Sequence, residues 1–355
     1  LELYYGPTLA FKDIAMQVIG NMYDHLKVAK EKPVNILVAT SGDTGSAAIS
    51  SLNNRENINL FVLHPHNKIS KVQRKIMTTI GESNIYNLAV EGTFDDCQRI
   101  VKDLFNDDHF REKINMSGVN SINWARIICQ IVYYFFTFFQ LKKDELSFSV
   151  PTGNFGDIYA GYIAKKMGLP INKLIVATNE NDILQRVINT GEYKPDKVTP
   201  SLSPSMDIQV SSNFERLLFY VLKEDDQKVN LLMNNLKNKG FFKLEINELK
   251  EIKKDFEAVK VSDEETLSII KDVYEKNKFL IDPHTATAFG AINKVKGINE
   301  VVALGTAHPY KFFETMKKAT GENIEPPVQI KKYLDKDEKF DIIENNISKI
   351  KEYIH

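Results

Sequence analysis

Short apolar runs rich in β-branched residues alternate along the chain with longer stretches of helical periodicity. The strand candidates are Val34–Thr40, Ile58–His64, Ile85–Val90, Phe148–Pro151, Lys173–Thr178 and Glu300–Leu304. Their apolar character is continuous and does not alternate, which is typical of strands that are covered on both faces. This order of elements predicts an α/β protein with parallel sheets.

Three stretches have a different pattern. Residues 222–278 are rich in Lys, Glu, Asp and Asn and low in glycine, which predicts a mostly solvated, charged helical insert without a site. The apolar run Ile127–Phe139 is too short to span a bilayer, so it predicts a buried core helix. Residues 326–355 are predicted to form a polar linker and an amphipathic helix, because apolar positions from Phe340 to Ile350 recur at helical spacing.

Composition narrows the class of protein and of partner. The 355 residues include 46 basic and 47 acidic side chains, for a net charge of −1, which argues against nucleic acid or an anionic membrane as the main partner. Only Cys97 and Cys129 occur, which supports no disulfide framework and suggests a reducing compartment. The seven histidines form no metal-binding motif, so no metal is expected.

A glycine-rich turn follows the strand candidate that ends at Pro151. Gly153 and Gly156 are three residues apart and lead into a helical stretch, so their backbone N–H groups are expected to form an anion nest at a helix start. This geometry suits a phosphate, although the turn matches neither the dinucleotide nor the Walker motif. The alternative is an ordinary strand-to-helix turn in which Asp157 is the N-cap.

Lys12 occupies an unusual position in the string GPTLAFKD. It is predicted in the first turn of a helix that runs through Met22, where the helix dipole disfavours a cation. This would lower the pKa of the amine and favour the neutral nucleophile that Schiff-base chemistry needs. The alternative is a solvated lysine that pairs with Asp13 or Asp24.

Other polar loops also follow strand candidates. The loop Ser41–Gly45 offers hydroxyl and N–H groups to a carboxylate or a phosphate, and its alternative role is to cap a helix over 46–52. The loop that begins at Gly305 presents the Thr306 hydroxyl and the His308 imidazole. Because ligands of open α/β sheets bind at the carboxyl ends of strands, several such loops together favour a binding site.

For the string DPHTATA a structural role is preferred. Asp282 or Thr285 is expected to cap the following helix, and His284 is expected to be a hydrogen-bonded core residue.

Taken together and in this order, these motifs resemble the threonine synthase family, pyridoxal-phosphate enzymes of the tryptophan-synthase-β fold type. The strings that carry the resemblance lie within residues 6–313: GPTLAFKD, ATSGDTGSAA, SINWARIICQIVYYF, PTGNFGD, ATNENDIL, DPHTATA and GTAHPYKF. The resemblance implies two open twisted α/β lobes with the cofactor site between them. The smaller domain is expected at 25–125, and the larger at 1–24 and 126–325.

The resemblance also implies residues for pyridoxal 5'-phosphate. Lys12 would hold the cofactor covalently and then act as the acid–base in the proton transfers. Thr306 would bind the pyridine nitrogen, and Asp157 would support the glycine turn. The backbone N–H groups that would wrap the cofactor phosphate are those of Gly153, Asn154, Phe155 and Gly156.

Further residues are implied for the substrate. Those expected beside the ring and the amino-acid end of the substrate are Ser41, Asp43 and Thr44. Those expected at the substrate phosphate are Lys68, Asn123 and Arg126. Arg126 could bind it bidentately, whereas Lys68 would act as a point charge.

The implied reaction converts O-phosphohomoserine and water to threonine and phosphate. Two alternatives stay open: a phospho-lyase that releases 2-oxobutyrate and ammonia from the same substrate, and a truncated non-catalytic member. The expected partner is the small-molecule substrate, with no nucleic acid and no membrane, in a monomer or homodimer. The chain begins without Met and without the N-terminal segment of the family, so a fragment is expected. A cytoplasmic location is expected, with a plastid left open.

Overall fold

Strands and helices alternate through most of the chain, as the apolar pattern predicts. The computed structural model describes residues 1–26, 32–80 and 82–355. Its strands are β1 Val34–Ala39, β2 Ile58–Pro65, β3 Ile85–Glu91, β4 Met116–Gly118, β5 Leu146–Pro151, β6 Ile171–Thr178, β7 Glu192–Tyr193, β8 Phe242–Lys243, β9 Phe256–Lys260, β10 Val301–Ala303 and β11 Asp341–Glu344. All of the predicted strands form.

The helices connect these strands. They are α1 Lys12–Leu26, α2 Asp43–Leu52, α3 Lys71–Thr78, α4 Phe94–Asn106, α5 Asp108–Lys113, α6 Trp124–Leu141, α7 Gly156–Lys166, α8 Ile183–Thr190, α9 Phe214–Val221, α10 Asp226–Lys239, α11 Ile246–Asp255, α12 Asp263–Asn277, α13 Pro283–Lys294, α14 Phe313–Thr320, α15 Val328–Leu334 and α16 Ile347–Ile354. Short 3₁₀ turns lie at Pro204–Met206 and Pro309–Phe312.

The chain divides into two units, each built from separate segments. The smaller unit consists of Tyr4–Arg126, Tyr310–Phe312 and Glu325–His355. The larger unit consists of Leu1–Leu3, Ile127–Pro309 and Phe313–Ile324.

This division differs from the predicted domains at both ends of the chain. Residues 4–24 and 326–355 belong to the smaller unit, where the sequence predicted 25–125 alone. The reason is packing, because Met16 and Ile19 of α1 lie in the same core cluster as Ile36 of β1. Residues 27–31 and 81 of the predicted smaller domain lie outside the described residues.

The smaller unit has a parallel sheet with the strand order β11-β3-β2-β1-β4. Its two faces have separate apolar clusters: Ile36 and Val38 pack on the side of α1 and α2, and Leu37 packs on the side of α4 and α16. The continuous apolar run of β1 is therefore explained by helices on both faces. The carboxyl end of β1 leads directly into the loop at 40–43.

The larger unit has its own parallel sheet, with the strand order β10-β5-β6-β9. Strand β5 is buried along almost its whole length, and the glycine turn starts where it ends. Because β10 is its direct neighbour in a parallel sheet, the residues that follow β5 and β10 emerge at the same edge.

Two sequence predictions are wrong in part. The insert predicted at 222–278 does contain α10, α11 and α12, but it also contains β9, the edge strand of the larger unit's sheet. Phe256, at the start of that strand, is 1% exposed. The predicted C-terminal helix is also shorter than expected, because Ile342 and Ile343 lie in β11, paired with β3.

Helix α6 confirms the predicted helix at 127–139, but only one side of it is buried in this chain. Ile127 and Tyr134 are fully buried, whereas Val132 is 64% and Phe136 56% exposed. None of the helices within the described ranges is long and apolar enough to cross a membrane.

The packing of the C-terminal segment gives a test of the observed division. Ile350 of α16 is fully buried in the smaller unit's core, whereas Ile342 of β11 is 58% exposed. Ile350→Ala is expected to lower the free energy of unfolding by about 2–5 kcal/mol, and Ile342→Ala by about 1 kcal/mol or less. Urea unfolding followed by circular dichroism measures both. Equal losses would contradict the assignment of the C-terminal segment to this core.

Candidate active site

The turn before α1 is organised by the carboxylate of Asp13. The Oδ2 atom accepts the backbone N–H of Thr8 at 2.9 Å, and the Oδ1 atom accepts the Thr8 hydroxyl at 2.6 Å. Gly6 is required there, because a Cβ atom would lie 2.5 Å from the Asp13 side chain. These contacts fix the backbone that leads into the first residue of α1, Lys12.

Lys12 lies in the smaller unit with 13% of its side chain exposed. Its Nζ atom is 3.6 Å from Oδ2 of Asp43 and 4.6 Å from the centre of the Phe11 ring. The alternative prediction of a solvated lysine paired with Asp13 or Asp24 is wrong, because Asp13 binds its own turn and Asp24 pairs with Arg55.

Asp43 is presented by the loop that follows β1. The Thr40 hydroxyl oxygen accepts the N–H groups of Gly42 and Gly45, both at 2.9 Å. Gly42 has a φ of 135°, and a Cβ atom on it would lie 2.8 Å from the side chain of Gln73. Helix α2 begins at Asp43, three residues before the predicted start at 46, and its N-cap residue Gly42 makes no side-chain hydrogen bond. The N–H of Gly45 in the first turn is accepted by Thr40, so the Asp43 carboxylate makes other contacts.

A second lysine, Lys311, binds the same carboxylate. It is fully buried, and its Nζ atom lies 2.5 Å from Oδ1 of Asp43 and donates to the backbone carbonyl of Thr8 at 2.9 Å. The Gln73 amide also donates to Oδ1, at 2.9 Å. Sequence reasoning missed Lys311 and Gln73. The only signal was the place of Lys311 within the string GTAHPYKF.

These neighbours set the protonation of the cluster. Burial lowers the pKa of Lys12, and the charges of Arg126 and Lys311 lower it further, while Asp43 raises it. Burial by itself would raise the pKa of Asp43, but Lys311 and Lys12 hold it well below its usual range. Asp43 is therefore ionised, and the Lys12 amine loses its proton more readily than an exposed lysine.

Two of the predicted phosphate-binding residues lie at the start of α6. Asn123 accepts the Ala125 N–H at 3.0 Å and donates to the Gly118 carbonyl at 3.1 Å, so its side chain shapes the entry into the helix. Arg126 is 3% exposed and donates to the Val119 carbonyl at 3.0 Å. Its charge acts on Lys12, which places it in the same electrostatic environment.

The remaining substrate candidates differ in exposure. Lys68 is exposed in the turn after β2, while Ser41 and Thr44 are half-buried on either side of the Gly42–Asp43 step. The structure thus brings Lys12 and Asp43 into contact and leaves the role of these three residues a prediction.

The predicted anion nest lies in the larger unit, between β5 and α7. Phe155 has a φ of 62°, and α7 begins at Gly156, so the chain turns sharply into the helix. A Cβ atom on Gly153 would lie 3.0 Å from Cα of Met206 and 3.1 Å from the carbonyl oxygen of Ser205. Only glycine fits this approach without moving backbone.

The carbonyl groups of the turn are tied to the segment at 211–213. The Ser211 hydroxyl donates to the Gly153 carbonyl at 2.8 Å, and the Asn213 amide donates to the Asn154 carbonyl at 2.9 Å. Among the residues that the structure describes, no protein group accepts from the backbone N–H groups of Gly153 to Gly156. The first turn of a helix with such N–H groups is an anion site.

Asp157 is not the N-cap of α7, since that position is taken by Phe155. Its carboxylate accepts the hydroxyl groups of Tyr133 and Tyr134, two residues of α6. It therefore anchors the first turn of α7, which directly follows the glycine turn, against α6.

Thr306 follows β10 and is 4% exposed. The neighbouring Gly305 is held by Leu1 and Leu3, through hydrogen bonds of 2.7 and 2.9 Å. Because β10 pairs with β5, Thr306 and the glycine turn leave the sheet at the same edge.

The structural roles expected for the string DPHTATA are confirmed. Asp282 is the N-cap of α13 and accepts the N–H of His284. The ring of His284 bonds to Asp282 through Nδ1 at 2.8 Å and accepts the Ser205 N–H through Nε2 at 3.2 Å. This contact supports the backbone that packs on Gly153.

Comparison with known proteins identifies the family. A family model described as pyridoxal-phosphate dependent enzyme matches residues 2–306, and a model of the threonine synthase C-terminal region matches residues 285–354. The chain is 47% identical over 359 residues to threonine synthase of Pseudomonas aeruginosa, covering 100% of this chain and 76% of the relative. The chain belongs to the threonine synthase family.

Two further threonine synthases support this assignment. The Saccharomyces cerevisiae enzyme is 46% identical over 351 residues, covering 90% of this chain and 68% of the relative. The crystal structure of PLP-bound threonine synthase from Brucella melitensis matches with a TM-score of 0.94 and 45% identity, covering 100% of this chain and 77% of that one. The resemblance and the fold type predicted from the motifs are confirmed.

A threonine synthase is a pyridoxal-phosphate enzyme, and the residues present fit that cofactor. Lys12 offers an amine whose pKa is lowered by burial, as a covalent bond to an aldehyde requires. The turn at Gly153 to Gly156 offers N–H groups and a cradle that a Cβ atom would fill.

The cradle can be tested with cofactor analogues. Gly153→Ala is expected to lower the affinity for pyridoxal phosphate about tenfold, or about 1.4 kcal/mol, because the turn must shift away from Met206. Affinity for pyridoxal, which lacks the phosphate, should change less. Equilibrium titration of both compounds measures the ratio.

The matched control is Gly168→Ala in the same chain, where a Cβ atom meets open space. Its φ of 103° means that Ala there costs stability, but the ratio of the two affinities should stay at the parent value. A ratio that also stays unchanged in Gly153→Ala would contradict a phosphate site at this turn.

Proposed function

We propose that this chain converts O-phosphohomoserine and water to threonine and phosphate, with Lys12 as its catalytic residue. The observation that carries the proposal is the largely buried Lys12 side chain beside an ionised Asp43, in a chain whose relatives are threonine synthases. An amine with a lowered pKa loses its proton more readily than an ordinary lysine, and its neutral form can act as a nucleophile and as a base.

The cofactor is proposed to be held at three points. Lys12 forms the covalent bond, the N–H groups from Gly153 to Gly156 bind the phosphate, and the Thr306 hydroxyl binds the pyridine nitrogen. A neutral hydroxyl does not supply the charge that a carboxylate would supply at this nitrogen. When bound, the cofactor supplies an electron sink for the negative charge that develops at the substrate Cα.

Lys12 is proposed to move the protons of the reaction. With its amine free, Lys12 would take protons from Cα and Cβ of the substrate, and phosphate would leave from Cγ. Lys12 would then return protons at Cγ and, after the oxygen of water has added at Cβ, at Cα. The proton released by water balances the one that phosphate takes up. Because one amine serves several carbon atoms, the contacts of Thr8, Asp13 and Asp43 that hold the start of α1 are essential for positioning.

The carboxylate and the phosphate of the substrate are proposed to bind cationic and hydroxyl side chains of the smaller unit. Arg126 supports this role best, because it is buried and its charge acts on Lys12. Asn123 shapes the same helix start. Ser41 and Thr44 flank Asp43 in the loop after β1, and Lys68 lies exposed in the turn after β2.

The covalent bond can be located directly. Borohydride reduction of the protein loaded with pyridoxal phosphate, followed by peptide mass mapping, is expected to place the pyridoxyl group on Lys12. Lys12→Ala should remove it and lower threonine formation by about 10²–10⁴-fold or more. Lys143→Ala, which removes an exposed lysine paired with Glu300, is the control and should leave both unchanged. An adduct on another lysine would contradict the assignment.

The products distinguish the proposed reaction from its alternatives. With O-phosphohomoserine as substrate, threonine and phosphate are expected in equal amounts. Phosphate with 2-oxobutyrate and ammonia would instead indicate a phospho-lyase. Release of no phosphate by unreduced, cofactor-loaded protein, from a preparation in which reduction of a separate sample gives the Lys12 adduct, would indicate a non-catalytic chain.

We further propose that the chain acts as a monomer or homodimer in the cytoplasm, without nucleic acid or membrane as a partner. A net charge of −1 supports the proposal that neither nucleic acid nor an anionic membrane is a partner, because it provides no general basic field. The free thiols of Cys97 and Cys129 support a reducing compartment.

A further inference from the structure

Lys311 is a buried cation in direct contact with the residues around Lys12, and the reaction scheme above assigns it no part. We propose that Lys311 is a positioning residue: by holding one oxygen of Asp43, it prevents Asp43 from forming a close ion pair with Lys12 and so keeps the Lys12 amine reactive. The inference deepens the proposed function and rests on the catalytic role of Lys12.

The two oxygens of Asp43 are used unequally. Oδ1 receives Nζ of Lys311 at 2.5 Å and the Gln73 amide at 2.9 Å. Oδ2 lies 3.6 Å from Nζ of Lys12, which is longer than a charge-assisted hydrogen bond. The carboxylate is therefore turned toward Lys311, and its attraction for Lys12 acts at the longer distance.

The same lysine also anchors the segment that presents Lys12. Its Nζ atom donates to the Thr8 carbonyl at 2.9 Å, while the N–H and hydroxyl of Thr8 bind Asp13. Thr8 thus links Lys311 to the first turn of α1. A side chain from residue 311 holds both the loop after β1 and the turn before α1 in place.

Among the described residues, the charged groups that act on the Lys12 amine are Asp43, Arg126 and Lys311, and Lys311 also acts on Asp13. Removal of Lys311 changes this set in two ways. It takes away a like charge that lowers the pKa of Lys12, and it frees Asp43 to approach Lys12. Both changes favour the protonated amine, so the pKa of Lys12 should rise.

The test measures the titration of Lys12 in the cofactor-free chain of 355 residues. Competitive labelling with acetic anhydride over a range of pH, followed by mass spectrometry of the Lys12 peptide, gives the midpoint of the amine. Lys311→Met is expected to raise this midpoint by about one pH unit or more. Lys311→Arg, which keeps a cation able to bind a carboxylate, should stay close to the parent. Lys317→Met, at an exposed site on α14, is the control and should not shift it.

Lys311→Met leaves the buried Asp43 carboxylate with one partner fewer, which can prevent folding. A companion variant covers that case. Lys311→Gln keeps a hydrogen-bond donor without the charge, and the same upward shift is expected. In an Asp43→Asn background, loss of Lys311 should shift the midpoint less, because only the direct repulsion remains.

A midpoint that is unchanged or lowered in folded Lys311→Met or Lys311→Gln would overturn the proposal. So would an equal shift with and without the Asp43 carboxylate. These outcomes are separate from failure of the proposed function, because the labelling reads the amine without cofactor, whereas the borohydride experiment asks whether the cofactor is bound to Lys12.

Discussion

The carboxylate of Asp43 is shared by two lysine side chains that lie within a few ångströms of it. Burying an amine without a counter-charge is costly, and two like charges at close range add to that cost. One ionised carboxylate offsets both. It does so unequally, with the tighter contact to the fully buried Lys311. The environment of Lys12 is therefore set by a competition for one anion as well as by burial.

Each unit carries part of the proposed site. The smaller unit holds the amine and its charged neighbours, and the larger unit holds the glycine turn and Thr306. In the larger unit the glycine turn is held in place by residues from a later segment of the chain. Ser211 and Asn213 donate to its carbonyl groups, and Met206 packs against Gly153. These contacts hold the turn in place, and its N–H groups, which no described protein group accepts, stay available to an anion.

Sequence reasoning succeeded where the determining contacts are local. The continuous apolar runs predicted the central strands, and the cap at Asp282 follows from residues two and three positions away. It failed for the edge strands β9 and β11, whose charged residues and short lengths imitate helical segments. Lys311 was missed for a related reason. Lys311 becomes part of the site only by pairing with Asp43, which lies 268 positions earlier in the chain, and no local sequence pattern encodes that pairing.

The smaller unit is assembled from chain segments at both ends of the sequence, and this affects its synthesis. Its sheet lacks β11, and its core lacks Ile350 and Ile354, until residues 341–354 have been added. On the ribosome, the nascent polypeptide would expose apolar surface on β3 and α4 until those residues have been translated. The larger unit, continuous from Ile127 to Pro309, has most of its parts in one uninterrupted stretch and can mature earlier.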